Sequence, residues 1–277
     1  MGDTDETDVD LCVLGPVGAE RAGRPVALGG RRQRMVLTAL LVARGRMLPV
    51  DRLRELVWGD HDRVASRATL YGYVAGLRRA LEPEHPARRG DVLVHEGTGY
   101  TLRLPPGRVD ADRFTALVDR GAALLDQGRP VEAAATLDAG LALWRGPAFA
   151  DLGDAPFVLP AVARLEAARA TAVELRIAAL LQAGRHDTLV GELEALVVEE
   201  PLRERGWELL ATALYRAGRQ GDALAVLRRA RRTLAEQLGA DPGPALRRIE
   251  AAILHHDETL APALTAAHPV STGSARR

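Results

Sequence analysis

Arginine is the residue in this chain whose spacing could do chemistry. Arg31, Arg32 and Arg34 stand together at the head of one apolar-periodic segment, and Arg67, Arg78 and Arg79 lie along another. A guanidinium is a rigid fork of donors that meets a phosphate, or the O6 and N7 edge of guanine, in two places at once. Thr69 and Tyr73 add two hydroxyls between Arg67 and Arg78. That set suits a nucleic-acid duplex better than a reaction centre. The seven histidines are scattered, and the adjacent pair His255-His256 points its side chains to different faces of a helix, the wrong arrangement for joint metal binding. No Gly-x-Ser-x-Gly turn occurs. Lysine is absent throughout, which excludes a Walker-type phosphate loop, a lysine Schiff base and the kinase strand lysine. Catalytic residues, a metal and a cofactor are therefore not expected.

The element that must position these groups is Ser66 to Leu81. Leu70, Val74, Leu77 and Leu81 recur at i, i+4, i+7 and i+11, a narrow apolar stripe on an amphipathic helix of about four turns. Ser66 is a suitable N-cap, Arg78 and Arg79 suit the helix dipole in the last turn, and Glu82-Pro83 ends the segment. With the stripe facing a core, Ala68, Gly72, Ala75, Gly76 and Arg79 face outward. Taken alone, the segment fits an ordinary surface helix equally well.

The surroundings favour a DNA-reading helix. Leu11 to Gly30 alternates short apolar runs with Gly-Pro, Gly-Ala and Ala-Gly-Arg-Pro turns, which predicts a small antiparallel sheet of three or four strands. Helices are expected over Arg31 to Arg44 and Val50 to Trp58, and a hairpin around Glu96-Gly97-Thr98-Gly99. Sheet, three helices and hairpin describe a winged helix-turn-helix over residues 11–108, with the hairpin as the wing. His95 and Tyr100 on that hairpin join the candidate DNA contacts.

The formal net charge is zero over 277 residues, and that figure hides a split. Leu11 to Val109 holds 17 Arg against 9 acids, whereas Asp110 to Arg277 holds 20 Arg against 23. The first ten residues include five acids and predict a disordered leader, 1–10, without the apolar run of a signal peptide. No segment reaches the apolar length of a membrane span, so a cytoplasmic, nucleoid-associated protein is expected. Cys12, alone in an apolar run, is expected to be an inert core thiol.

From Asp110 the pattern is helical and repeats. ALLDQGRPVEAAATL, ALLQAGRHDTLVGEL and ALYRAGRQGDALAVL superpose on Gly128-Arg129, Gly184-Arg185 and Gly218-Arg219. The last two glycines are 34 residues apart, the tetratricopeptide period, while Trp144 to Leu159 interrupts the first interval. An all-α array over 109–260 follows, and a disordered tail over 261–277. The predicted class is mainly α with a small β component.

These residues resemble a known family. GGRRQRMVLTALLVARG, VDRLRELVWG, TLYGYVAGLRRAL and GTGYTL resemble the OmpR-type DNA-binding domain of Streptomyces antibiotic regulatory proteins. LALWRGPAFADL, PLRERGWELLATALYRAGRQGDALAVLRRAR and LGADPGPALRRIEAAIL resemble the bacterial transcriptional activator domain that follows it. The resemblance spans roughly Leu11 to Leu260. It implies a sequence-specific activator of a biosynthetic gene cluster that binds direct repeats in double-stranded promoter DNA, commonly as a homodimer. It also implies recruitment of RNA polymerase holoenzyme through the sigma factor, with Asp60 and Asp62 in the loop before the third helix as candidate contacts.

Two departures bear on specificity. Members of the OmpR-type family often carry larger polar or basic side chains where this chain has Ala75 and Gly76, and Arg where it has Glu96. Weaker base discrimination is expected, with Arg67, Thr69, Tyr73 and Arg78 as main groove residues and much of the affinity coming from Arg31, Arg32, Arg34, Arg67, Arg78 and Arg79 on the phosphate backbone. The alternative is a helical-repeat interaction or effector-binding regulator with weakened or non-specific DNA binding.

Overall fold

The stripe that marks the candidate reading helix is dry. The structure is a computed structural model that describes residues 9–59, 67–83, 91–257 and 260. In it Leu70, Val74, Leu77 and Leu81 are all buried along α3 (Arg67–Leu81). They meet α1 (Arg31–Val42), which packs against α3 and against α2 (Val50–Trp58), and bury Leu37, Leu40 and Leu53 in the same core. Ser66, and the loop carrying Asp60 and Asp62, lie outside the described residues.

Two small sheets flank the helices. The first is antiparallel in the order β1 (Val9–Cys12), β2 (Gly18–Arg21), β3 (Arg24–Pro25). β1 corrects the expected leader at its end. Val9 is buried and registers with Arg21, and Asp10 pairs with Arg113 at 3.0 Å, so a ladder and an ion pair order two residues that composition assigned to solvent. Residues 1–8 and 261–277 lie outside the described residues. Cys12 is buried, and desolvation pushes its thiol above the ordinary value, in keeping with an unreactive core position.

The second sheet contains the expected hairpin, β5 (Leu93–Glu96) and β6 (Gly99–Leu102), and one further strand. β4 (Leu48–Pro49) pairs with β6, giving the order β4-β6-β5. A two-residue strand ending in proline has no periodicity to reveal it, and proline is tolerated there because the strand is at an edge. Both sheets hold the end of α3. Arg21 Nη2 donates to the carbonyls of Ala80 and Leu81, each at 3.0 Å, and the buried Glu82 carboxylate accepts the N-H groups of Val92 (2.7 Å) and Leu93 (3.3 Å). Carbonyls left orphaned at a helix end are thereby satisfied, and the hairpin is fixed to the helix.

The remainder is α4 (Asp110–Asp126), α5 (Pro130–Leu141), α6 (Leu159–Gln182), α7 (His186–Glu199), α8 (Glu204–Arg216), α9 (Gln220–Leu238) and α10 (Pro244–Leu254). The three Gly-Arg steps are one recurring turn. Gly128, Gly184 and Gly218 have φ of +70°, +80° and +75°, and each following arginine donates its N-H to a leucine carbonyl five residues back, at 2.9 Å in all three cases. That is the six-to-one bond of a left-handed helix stop, which glycine adopts without a Cβ penalty. Ala133, Ala134, Ala213 and Ala223 are buried, small residues that let neighbouring helices approach closely.

By contacts the chain forms two compact units, residues up to 122 with 135–173, and residues 123–134 with 174 onward. The position 108/109, where the patterns change, falls inside the first. Its joint is Asp110, with a side chain 3% exposed. Asp110 accepts the N-H groups of Val13 (2.8 Å) and Leu14 (3.1 Å) and the guanidinium of Arg145 (2.7 Å). The segment between α5 and α6 that interrupts the repeat docks on the same loop: Arg145 N-H donates to Leu14 O, Phe149 N-H to Val13 O and Ala150 N-H to Gly15 O.

Burial raises the Asp110 carboxyl above the usual range, and its two backbone donors and Arg145 oppose that shift. A raised folded-state pKa favours the folded protein increasingly as pH falls through it towards the unfolded value. Asp110→Ala should lower unfolding free energy by about 3 kcal/mol in urea titration, because two buried N-H groups and a guanidinium lose their acceptor. Asp110→Asn should cost less, and the advantage of the natural protein over it should grow as pH is lowered from neutral.

Candidate nucleic-acid interface

The outer side of α3 is the surface available to a groove. Arg67, Ala68, Thr69, Tyr71, Gly72 and Arg79 are exposed, opposite the buried stripe. Tyr71, 44% exposed, is absent from the candidates drawn from sequence. Its position one residue after Leu70 turns it to the flank of the outer face, beside Arg67, Ala75 and Arg78 in helical projection, so the signal was present in the spacing. A Cβ on Gly72 would meet nothing within 4 Å, so the helix presents backbone there. Gly76 is different. A Cβ at that site would lie 2.7 Å from Nε2 at the flexible end of Gln33, so the α1 side chain reaches over the helix backbone there.

The other candidates divide by what already holds them. Arg67 donates to both Asp51 oxygens, at 3.1 and 2.9 Å, in an exposed pair, and this hydrogen bond chiefly lowers the Asp51 carboxyl below its ordinary value. Tyr73 is half-buried and stacked on Trp58 with ring centroids 5.8 Å apart, and the Arg32 guanidinium lies 5.9 Å from the Trp58 ring on its α1 side. Arg78 donates Nε-H to Leu93 O at 2.9 Å and lies 5.7 Å from the Tyr100 ring. It clamps the hairpin to the helix.

Tyr100 itself is a correction. It is 6% exposed and covered by Arg78 and by His95, whose ring meets it edge-on at 5.1 Å, so it packs the hairpin and is not offered to a groove. Burial pushes its phenol up, with Arg78 opposing. His95 is exposed on the hairpin's outer side. Glu96, where the family often carries Arg, accepts from Thr101 Oγ1 at 2.9 Å and pairs with Arg103, which neutralises it locally.

The arginine run at the head of α1 is also engaged. Arg34 Nε binds Asp151 at 2.8 Å, and Arg31 pairs with Asp154 and donates to Asp151 O at 3.0 Å. Asp151 accepts Val17 N-H as well, at 2.8 Å. These acids lie in the segment that interrupts the helical repeat, 117 or more residues away in sequence, a pairing no local pattern announces. Among the described residues no group of His, Cys, Asp and Glu could hold a metal ion, and no helix is long and apolar enough to cross a membrane.

Comparison with known proteins sets the chain among transcriptional regulators. Residues 23–102 match the family described as transcriptional regulatory protein, C terminal, and residues 109–254 match the bacterial transcriptional activator domain. The transcriptional regulatory protein EmbR of Mycobacterium tuberculosis is 38% identical over 251 residues, 91% of this chain and 64% of EmbR, so the chain spans under two thirds of that relative. The transcriptional regulator RedD of Streptomyces coelicolor is 38% identical over 253 residues, covering 91% of this chain and 72% of RedD. The regulatory protein DnrI of Streptomyces peucetius is 33% identical over 253 residues, covering 90% and 93%. A solved structure of Mycobacterium tuberculosis EmbR in complex with a low-affinity phosphopeptide superposes with a TM-score of 0.84 at 37% identity, over 90% of this chain and 65% of that one.

The two last-turn arginines of α3 should separate by experiment. Arg79→Ala should leave the melting temperature unchanged and weaken duplex binding about equally for all sequences, lowering the salt slope by about one. Arg78→Ala should instead destabilise the fold by about 1–2 kcal/mol, through the lost hydrogen bond and ring contact, as read by thermal unfolding.

Proposed function

The chain belongs to the Streptomyces antibiotic regulatory protein family of transcriptional regulators, and from that membership we propose that it is a sequence-specific activator of a biosynthetic gene cluster. Residues 11–108 bind direct repeats in double-stranded promoter DNA, and residues 109–260 serve as the activator domain. The chain works as a homodimer on DNA and recruits RNA polymerase holoenzyme through its sigma factor. The single observation that carries this reading is the outer face of α3, where Arg67, Thr69, Tyr71, Gly72 and Arg79 stand exposed along one helix whose other face is locked in the core. Arginine and threonine there suit phosphate and base edges, and Tyr71 with Gly72 lets an aromatic ring and bare backbone approach a groove wall.

The second reading, a helical-repeat interaction or effector-binding regulator with weak or non-specific DNA binding, has a specific observation in its favour. Arg31, Arg34 and Arg78 all make internal bonds, which reduces the cations offered to phosphate. Footprinting on promoters next to the chain's own gene, against competitor DNA, separates the two. A footprint repeating on one face of the duplex, lost in Thr69→Ala/Tyr71→Ala while the melting temperature holds, is expected. Equal affinity for any duplex, unchanged in that variant, would favour the second reading.

A further inference from the structure

Beneath the C-terminal end of α1 the first compact unit contains a cavity of about 1080 Å³. It is walled by Leu40 of α1, Leu102 of β6, Phe149 of the segment between α5 and α6, and Leu165 of α6. That volume stands just above the usual range of pockets that take drug-sized molecules, which are lined in the same way by apolar side chains and a few placed polar groups. The polar groups here are unbalanced. Arg44, Asp112 and Arg164 share one side, Arg44 and Asp112 approach only to 3.9 Å, and Arg164 makes no hydrogen bond or ion pair among the described residues. Two guanidiniums thus face one carboxylate. Partial burial pushes Arg164 below its ordinary value, Arg44 adds to the shift, and Asp112 opposes it.

Two other charges line the rim. They are Asp91 and Arg103, and Arg103 is engaged by Glu96. The backbone adds a second observation. Arg44 is held at φ +50°, a left-handed conformation that L side chains rarely adopt, and Gly45 follows at +74°. That left-handed step ends α1 and sets the Arg44 side chain on the cavity wall.

We propose that this cavity binds an amphipathic organic anion, with its carboxylate between Arg44 and Arg164 and its apolar body against Leu40, Leu102, Phe149 and Leu165. Binding of this kind does not depend on which DNA the chain reads. A charge-assisted bond to a guanidinium fixes the head group, and water release from the apolar wall holds the body. The acid has two natural chemical sources, an aliphatic acyl chain or an aromatic ring system.

Titration calorimetry of the whole chain with decanoate and with 2-naphthoate, each beside its neutral primary amide, tests the site and distinguishes the two. At least one acid should bind with one-to-one stoichiometry and about tenfold more tightly than its amide. Arg164→Gln should weaken the acid about tenfold and leave the amide unchanged, and Ala161→Trp, which fills the cavity, should remove both. Melting temperature and circular dichroism establish that each variant is folded. Absence of binding by both acids below about 1 mM overturns the proposal, as does equal binding of acid and amide, or binding that folded Arg164→Gln and Ala161→Trp leave intact.

Discussion

The buried carboxylate of Asp110 is the constraint on which the first unit depends. It stands at the start of the helical half of the chain and takes two backbone N-H groups from the loop after β1 and a guanidinium from the segment between α5 and α6. Those N-H groups are buried, and no neighbouring strand accepts them, so an uncompensated loss there costs the full desolvation of each. Because Arg145, Phe149 and Ala150 bond to the same loop, the interruption of the helical repeat is structural. It supplies the surface that the N-terminal sheet needs, and Leu11 N-H donating to Arg108 O at 2.7 Å closes the chain back onto β1 beside it.

That arrangement reassigns the positive charge. Leu11 to Val109 has an excess of arginine, but part of the excess serves the fold: Arg21 caps α3, Arg78 holds the hairpin, Arg103 answers Glu96, and Arg31 and Arg34 are held by Asp154 and Asp151. Exposed ion pairs such as Arg31 with Asp154 are worth little individually and can be exchanged for phosphate at small cost. The exposed chemistry that remains on α3 concentrates in its first half, where an aromatic ring and a bare glycine stand next to a threonine and an arginine.

Much of this was legible in the chain itself. The stripe at Leu70, Val74, Leu77 and Leu81, the hairpin turn at 97–98 and the three Gly-Arg steps are local patterns, and each became the element its spacing required. Partners far apart in sequence left no such trace. β4 has only two residues to show, Asp151 and Asp154 look like any solvated acids, and Gly76 reads as a gap in a groove face until Gln33 is seen to fill it. Tyr100 was misplaced for the same reason. A β residue faces core or solvent according to which strand and helix cover it, and the covering Arg78 lies 22 positions back in the chain. Tyr71 was missed although its helical angle marked it.

The claim at the centre is that the outer face of α3 is where this chain meets duplex DNA. Amide hydrogen exchange of the whole chain, with and without a promoter duplex from beside its own gene, measures that directly. Slowed exchange over residues 67–72 and at the hairpin turn, with α7 to α9 unchanged, is the expected result. Slowing confined to α7, α8 and α9, with α3 exchanging as in the free protein, would contradict it and move the nucleic-acid surface to the helical array.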